Sequence, residues 1–182
     1  MNNLPLAATS IAAAFLLASF APAGGSSAAL PAAPAGPGGA RGLALAPDLS
    51  FTDDSSPNFP IRGDELGDGR IASDRPTAIF FGTAHCWNTA REAERFVALY
   101  AAHAAEARFL VVDLERPSAD QKRLVARFYR GFIPHVTILD ARGNVVYDRA
   151  GETAKERGDA SELEAIVKRA RARGGPERES SQ

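Results

Sequence analysis

Cysteine is almost absent from the sequence. The 182 residues include one cysteine, Cys86, together with one methionine, one tryptophan and three histidines. A single thiol excludes an intramolecular disulfide and any metal cluster that needs two thiolates from one chain. An excess of charge is also absent, since 21 Lys plus Arg stand against 22 Asp plus Glu. Because no basic field attracts phosphate backbones, a nucleic-acid partner is disfavoured.

Charged residues are missing from residues 4–20, an apolar run that ends just before Ala21-Pro22-Ala23. Small residues on either side of one position are the pattern that signal peptidase accepts. We therefore expect residues 1–23 to be a signal peptide and the protein to be exported to the periplasm or another extracytoplasmic compartment. The start, Met1-Asn2-Asn3, lacks the usual Lys or Arg, so an uncleaved membrane anchor formed by residues 4–20 is the alternative.

Large side chains are scarce in residues 24–47, which consist almost wholly of Gly, Ala, Pro and Ser and are expected to form a linker. Apolar residues return among turn formers in residues 48–75, at Phe51, Phe59, Ile61, Leu66 and Ile71. We expect this lead-in segment to be partly ordered, with one short strand near residues 65–66. Residues 173–182 contain no apolar residue and are expected to be a disordered tail. The remainder, residues 76–172, has the length of one ordinary domain.

The apolar pattern becomes regular at the start of this domain. A β-prone run at residues 77–81 lies between Pro76 and a glycine, as a buried strand does. Residues 87–107 lack Gly and Pro and repeat apolar residues at helical spacing. His103 lies between alanines in this helix and is expected at the surface.

The second half of the domain begins with a second apolar run, at residues 109–114, typical of an interior parallel strand. Ser118 and Gln121 form a capping box for the next helix, which we expect to stop at Gly131. A hairpin at residues 135–147 and a last amphipathic helix follow. The order βαβ and then ββα predicts an α/β fold with a mixed sheet and helices on both faces.

With Cys86 at the first strand-to-helix turn and Ile133-Pro134 before the hairpin, this order resembles the thioredoxin family over residues 76–172. The second half, from Val112-Asp113-Leu114 to the turn at residues 139–144, looks most like the membrane-anchored thioredoxin-like proteins of thylakoids and bacterial envelopes. The resemblance implies a thioredoxin-like three-layer α/β/α sandwich with a mixed sheet. It also implies a role like that of these relatives, which are exported reductants that act, among other processes, in cytochrome assembly.

The resemblance assigns roles to the residues at the two motifs. Cys86 matches the family's nucleophilic cysteine at the start of a helix, where backbone N–H groups and the positive helix end stabilise a thiolate. Pro134 matches the family's cis-proline, and the backbone of Ile133 is expected to pair with an extended substrate. Trp87 is expected either to contact the substrate or to pack over the loop. His135 is expected either to face the sulfur or to point away from it.

The sequence departs from the family's Cys-x-x-Cys motif, because it has Cys-Trp-Asn-Thr from Cys86 to Thr89. Without a second thiol, a mixed disulfide at Cys86 requires an external thiol, such as glutathione or a partner dithiol, for its release. Thr89 is expected to hydrogen-bond the sulfur, as in monothiol relatives. His85 replaces the usual aromatic residue and is expected to favour the thiolate when protonated or to act as a base. Phe80 replaces the family's buried acid, which removes a proton-handling group.

Two functions of different class fit these residues. The first is an exported monothiol thiol–disulfide oxidoreductase that acts on protein disulfides or glutathione adducts and holds no bound cofactor. Its catalytic residues would be Cys86, Thr89 and His85. Its substrate-binding residues would be Trp87, Ile133, Pro134 and His135. The second is a redox-degenerate binding module in envelope protein or cytochrome assembly, which the loss of the second thiol and of the buried acid favours. A metal site built from Cys86, His85 and His135 is disfavoured, because soft-metal sites generally need more thiolate.

Overall fold

The computed structural model describes residues 42–63, 69–71, 74–152 and 156–174. Several sequence-based expectations lie outside these ranges: the signal peptide or anchor, most of the linker, the strand at residues 65–66 and most of the tail. Within the described ranges, no helix combines the length and the hydropathy needed to cross a bilayer.

The described residues form six strands and three helices. In chain order these are β1 (Ala44–Leu45), β2 (Ile61–Arg62), β3 (Thr77–Gly82), α1 (Trp87–His103), β4 (Arg108–Asp113), α2 (Ala119–Phe128), β5 (His135–Leu139), β6 (Val145–Ala150) and α3 (Ser161–Gly174). From β3 onward, the order of strands and helices is the one expected from the sequence.

The main sheet has the strand order β4-β3-β5-β6. Strand β3 runs parallel to β4 and antiparallel to β5, and β5 runs antiparallel to β6. Helices α1 and α3 pack on one face of the sheet and α2 packs on the other. The protein therefore has the expected thioredoxin-like three-layer α/β/α architecture with a mixed sheet.

Strand β3 lies inside the sheet, and all of its residues are buried. Because neighbouring side chains in a strand point to opposite faces, Ala78 and Phe80 join the apolar cluster with α1 and α3, whereas Ile79 and Phe81 join the cluster with α2. A continuous apolar run is what a strand covered on both faces requires.

The capping box of α2 is present as expected. The Ser118 hydroxyl accepts a hydrogen bond from the Gln121 N–H at 3.2 Å, and the Gln121 side-chain oxygen accepts one from the Ser118 N–H at 3.0 Å. The Gln121 side-chain amide also donates to the carbonyl of Val111 in β4. The helix ends at Phe128, earlier than the expected stop at Gly131, which lies in the following loop with φ 92°.

The expectation that His103 lies at the surface is wrong. Its side chain is 6% exposed, and its Nδ1 atom lies 3.1 Å from Glu106 Oε2. Glu106 in turn pairs with Arg171 of α3 at 2.7 Å. The neighbouring alanines are short, and α3 packs against this side of α1, so the histidine is buried where the two helices meet.

A buried ion pair also ties α1 to the start of α3. Glu92 and Arg95 have side chains 1% exposed, and Arg95 Nη1 donates to both carboxylate oxygens of Glu92 at 2.9 and 3.0 Å. Arg95 Nε donates to the carbonyl of Asp159, two residues before α3. The sequence pattern alone placed no charge on this face.

The lead-in segment docks on the face that α1 and α3 cover. Ile61 is buried there, and the ring of Phe59 meets that of Phe80 edge to face with centroids 6.3 Å apart. Leu43 and Ala46 are buried too, and β1 pairs with β2. Residues 42–47, expected to belong to the linker, are therefore an ordered part of the domain.

Candidate functional site

Cys86 is the N-cap residue of α1. Its backbone is extended, its carbonyl accepts the first helical hydrogen bond from Ala90 at 3.1 Å, and its side chain caps no N–H group. The thiol is free and partly exposed. The sulfur therefore lies at the amino end of a 17-residue helix, where the helix dipole favours a negative charge.

The loop before β5 lies at the same end of the sheet as the turn that carries Cys86. Phe81 in β3 is paired with His135 in β5, so the end of one strand adjoins the start of the other. The Ile133–Pro134 peptide bond is cis. Pro134 is buried, and its carbonyl accepts a hydrogen bond from Gly151 at 2.7 Å. Ile133 is partly exposed and makes no backbone hydrogen bond with the described residues.

Thr89 does not hydrogen-bond the sulfur as expected. Its side chain is buried, and its Oγ1 atom has no hydrogen-bond partner among the described residues, Cys86 included. Its methyl group packs on the backbone of Gly82, where an added Cβ atom would collide with Thr89 Cγ2. Thr89 points into the sheet, because position i+3 from the N-cap falls on the buried face of α1.

The start of α1 is capped by a residue of the lead-in segment. Asp54 Oδ1 accepts a hydrogen bond from the backbone N–H of Trp87 at 2.9 Å. The first turn of α1 itself contains no acidic residue. This carboxylate lies next to Cys86. The two bonded residues are 33 positions apart in the sequence, so no local sequence pattern predicts the contact.

Trp87 and His85, the neighbours of Cys86 in sequence, both reach the surface. The Trp87 ring is partly exposed and lies under the guanidinium of Arg91, 5.3 Å from the ring centroid. Arg91 pairs with Glu152 at 2.7 Å. His85 is exposed and lines a cavity beside the lead-in segment. Each side chain is therefore accessible beside the thiol.

His135 points away from solvent. Its side chain is 1% exposed, its Nε2 atom lies 2.5 Å from Asp148 Oδ1, and its Nδ1 atom accepts a hydrogen bond from the Arg130 N–H at 3.4 Å. The ring lies against Phe81 and Tyr129, on the face that α2 covers. Both ring nitrogens already form hydrogen bonds within the protein. This histidine therefore stabilises the loop before β5, and its ring is not available to bind a substrate.

Asp148 joins the two ends of that loop. It accepts hydrogen bonds from His135, from Arg130 Nε at 3.2 Å and from Thr137 Oγ1 at 3.3 Å. Burial disfavours its charged form, but the hydrogen bonds from His135 and Arg130 and the charge of Arg130 outweigh burial and lower the pKa of Asp148.

Phe132 is a surface feature of the same loop that the sequence pattern did not single out. It is 70% exposed, more than any other large apolar residue in the described ranges. Gly131 precedes it with a positive φ, and Ile133 follows. The sequence feature that could have predicted this exposure is an isolated aromatic residue between a glycine and Ile-Pro.

The three candidate metal ligands do not form a metal site. Across the described ranges, no group of three His, Cys, Asp or Glu side chains is arranged to hold an ion. His135 is engaged with Asp148, as described above, which leaves His85 beside a single thiol. Soft-metal sites generally need more thiolate than this.

No family model and no curated protein matches the sequence. Among solved structures, the chain is similar to thioredoxin-2 of the malaria parasite protein secretion machinery, at 15% identity and a TM-score of 0.43 over 52% of this chain and 82% of that one. It is similar to a Malassezia sympodialis thioredoxin at 16% identity and a TM-score of 0.41, over 55% and 78%. It is similar to an uncharacterized thioredoxin-like protein of Clostridium perfringens at 19% identity and a TM-score of 0.42, over 53% and 71%. These figures describe a likeness of fold.

Proposed function

We propose that the protein is an exported monothiol thiol–disulfide oxidoreductase that acts through Cys86 on protein disulfides or glutathione adducts. The observation that carries the proposal is the position of a free, partly exposed thiol at the N-cap of α1. The thiolate is the nucleophilic form of cysteine, and a helix amino end stabilises an anion. The uncharged run at residues 4–20 and Ala21-Pro22-Ala23 support export.

The proposed reaction on a glutathione adduct has two exchanges. The Cys86 thiolate attacks the glutathione sulfur of a protein–glutathione disulfide, forms a Cys86–glutathione disulfide and releases the protein thiolate, which takes up a proton. A second glutathione, as its thiolate, then attacks this mixed disulfide and regenerates the Cys86 thiolate. The adduct is reduced by two electrons, and the two glutathiones leave as glutathione disulfide.

The loop before β5 supplies the substrate contacts in this proposal. The backbone groups of Ile133, which make no hydrogen bond with the described part of the chain, are available to an extended segment of substrate. The cis peptide bond at Pro134 and the accessible ring of Trp87 complete the binding residues. His85, exposed and adjacent to Cys86, is the group available to exchange a proton with the leaving thiol.

Turnover of a glutathionylated peptide tests the proposal. Glutathione disulfide production by the full chain is followed with glutathione reductase and NADPH. We expect Cys86→Ser to reduce the rate to that without protein, and Arg123→Ala, at an exposed position of α2, to retain the wild-type rate. Equal rates for the wild type and Cys86→Ser would overturn the proposal.

A second candidate is the binding module that has lost redox turnover. The observation that favours it is Phe132, which offers a largely exposed aromatic ring beside Ile133 without requiring any chemistry at Cys86. Under this candidate, Phe132→Ser abolishes binding of a partner protein, whereas Cys86→Ser leaves that binding unchanged. A substrate-trapping mixed disulfide at Cys86 would decide for the oxidoreductase.

A further inference from the structure

A cavity of about 600 Å³ lies between the lead-in segment and the carboxyl ends of β3 and β4. We call it the lead-in groove. Residues 46–48, 57–59 and 61–62 form one wall, and residues 84–85, 113 and 115–116 form the other. Its volume lies in the range of small-molecule sites, roughly 300–1,000 Å³. The carboxyl end of parallel strands is also where open α/β sheets bind ligands.

Two arginines in the lead-in groove have no acidic partner among the residues that the structure describes. Arg62 lies on one wall and Arg116 on the other, and neither makes an ion pair within the described ranges. Both side chains are exposed. A guanidinium binds a carboxylate with two parallel hydrogen bonds. The two walls therefore each offer a site for a carboxylate.

The groove also contains three carboxylates, of which two are already engaged. Asp48 Oδ2 accepts a hydrogen bond from the Asn58 side-chain amide at 2.5 Å, and Asp113 Oδ1 accepts one from the Glu115 N–H at 2.9 Å. The carboxylate of Glu115 has no such partner in the described part of the chain. It is the group available to a ligand ammonium.

Two residues of the groove are close to Cys86 in sequence, although Cys86 itself is not among the lining residues. Ala84 and His85 line it and immediately precede Cys86. The buried residues Ala46, Ile61 and Ala84 supply apolar lining to part of the groove. Charged groups of both signs along the groove suit a short peptide that carries carboxylates and an ammonium.

We propose that the lead-in groove binds a small acidic thiol peptide, with its two carboxylates on Arg62 and Arg116 and its ammonium on Glu115. The proposal rests on the proposed function, because it identifies the class of external thiol that a lone cysteine requires. Glutathione, which carries two carboxylates and one ammonium, is the probe. The groove holds this thiol beside the turn that ends at Cys86, so that the second exchange occurs within a complex.

Binding is measured without any redox step. S-methylglutathione, which has no free thiol, is titrated by calorimetry into the full chain carrying Cys86→Ser. We expect saturable binding that weakens as ionic strength rises. Arg62→Ala and Arg116→Ala should each weaken it by about tenfold, the effect of losing one charge-assisted hydrogen-bonded pair. Arg123→Ala, outside the groove, should leave the affinity unchanged.

The outcomes separate this proposal from the proposed function. Binding that depends on Arg62 and Arg116 supports the groove even where the wild type shows no turnover. An absence of binding, or equal affinity in Arg62→Ala, Arg116→Ala and Arg123→Ala, overturns the groove, and turnover through Cys86 would still support the oxidoreductase. In an active protein, the two groove variants should raise the KM for glutathione about tenfold and leave the rate of the first exchange with a glutathionylated peptide unchanged.

Discussion

The Asp54 carboxylate accepts a hydrogen bond from the backbone N–H of Trp87, 2.9 Å away, at the first residue of α1 and next to Cys86. A carboxylate at this place stabilises the helix through its dipole. It also places a negative charge near a thiolate at Cys86, and a like charge disfavours that thiolate. Through Asp54, the lead-in segment therefore opposes the stabilisation that the amino end of α1 gives to a Cys86 thiolate.

Replacing the Asp54 carboxylate should therefore accelerate the reaction of Cys86. In Asp54→Asn, we expect the rate of alkylation by iodoacetamide at neutral pH to rise about two- to fivefold, as removal of one helix-end charge predicts. Asp53→Asn is the matched control, because Asp53 bonds Ser50 and Ser55 within its own loop. An unchanged or slower rate in Asp54→Asn would contradict this role.

Thr89→Cys should restore an internal route for release of the mixed disulfide. Thr89 stands where the second thiol of a Cys-x-x-Cys motif would be, and its hydroxyl makes no hydrogen bond within the described ranges that the substitution could remove. We expect the variant to release a glutathione adduct from Cys86 without added thiol and to form an internal disulfide, both visible by intact-mass measurement. Thr89→Ser is the control and should retain the adduct. Retention of the adduct by Thr89→Cys would show that the two positions do not meet in solution.

Asp148→Ala should destabilise the fold by about 1–3 kcal/mol at neutral pH, the cost of leaving a buried donor unpaired. The donor is the ring of His135, which is 1% exposed. Because the pKa of Asp148 is lowered in the fold, its contribution is present above the unfolded value of about 3.9 and is lost as pH falls through the folded value.

Urea unfolding at neutral pH and at acid pH measures this contribution. The wild type and Asp148→Ala should differ at neutral pH and converge as the solution becomes more acidic. Asp120→Ala, which removes an exposed carboxylate from α2, should change stability little at either pH. A difference that is independent of pH would rule out the ionised carboxylate as its source.

Arg95→Ala should destabilise the protein more than any exposed substitution. Removal of one partner from a buried ion pair costs about 3–5 kcal/mol, because the other charge remains buried. The double substitution Glu92→Leu with Arg95→Met should recover much of this loss, since no charge is left unpaired. Arg123→Ala, whose ion pair with Asp120 is exposed, should cost less than about 1 kcal/mol. Thermal unfolding of the four proteins checks the order.

Features that depend on neighbours in sequence were predictable. The continuous apolar run of β3, the capping box of Ser118 and Gln121, and the glycine-containing hairpin follow from residues a few positions apart, and the structure has all three. The position of Cys86 at the start of α1 follows from the same local pattern. The architecture and the place of the thiol could therefore be derived from the sequence.

Features that depend on distant contacts were not predictable. His103 is buried because α3 returns to cover it, and Thr89 points at Gly82, which belongs to a strand five residues before the helix begins. The Asp54 cap joins residues 33 positions apart. The spacing of apolar residues in the sequence does not indicate such contacts. The charge next to the start of α1 could therefore be identified only from the structure.

Alkylation of Cys86 in the native full chain tests the central claim most directly. Iodoacetamide is added to the folded protein and to the same protein unfolded in guanidinium chloride, and the fraction modified is followed by mass spectrometry. An accessible thiolate at the start of α1 predicts that the folded protein reacts faster than the unfolded one at neutral pH. A thiol that resists modification until the protein is unfolded would contradict the account and leave the binding module.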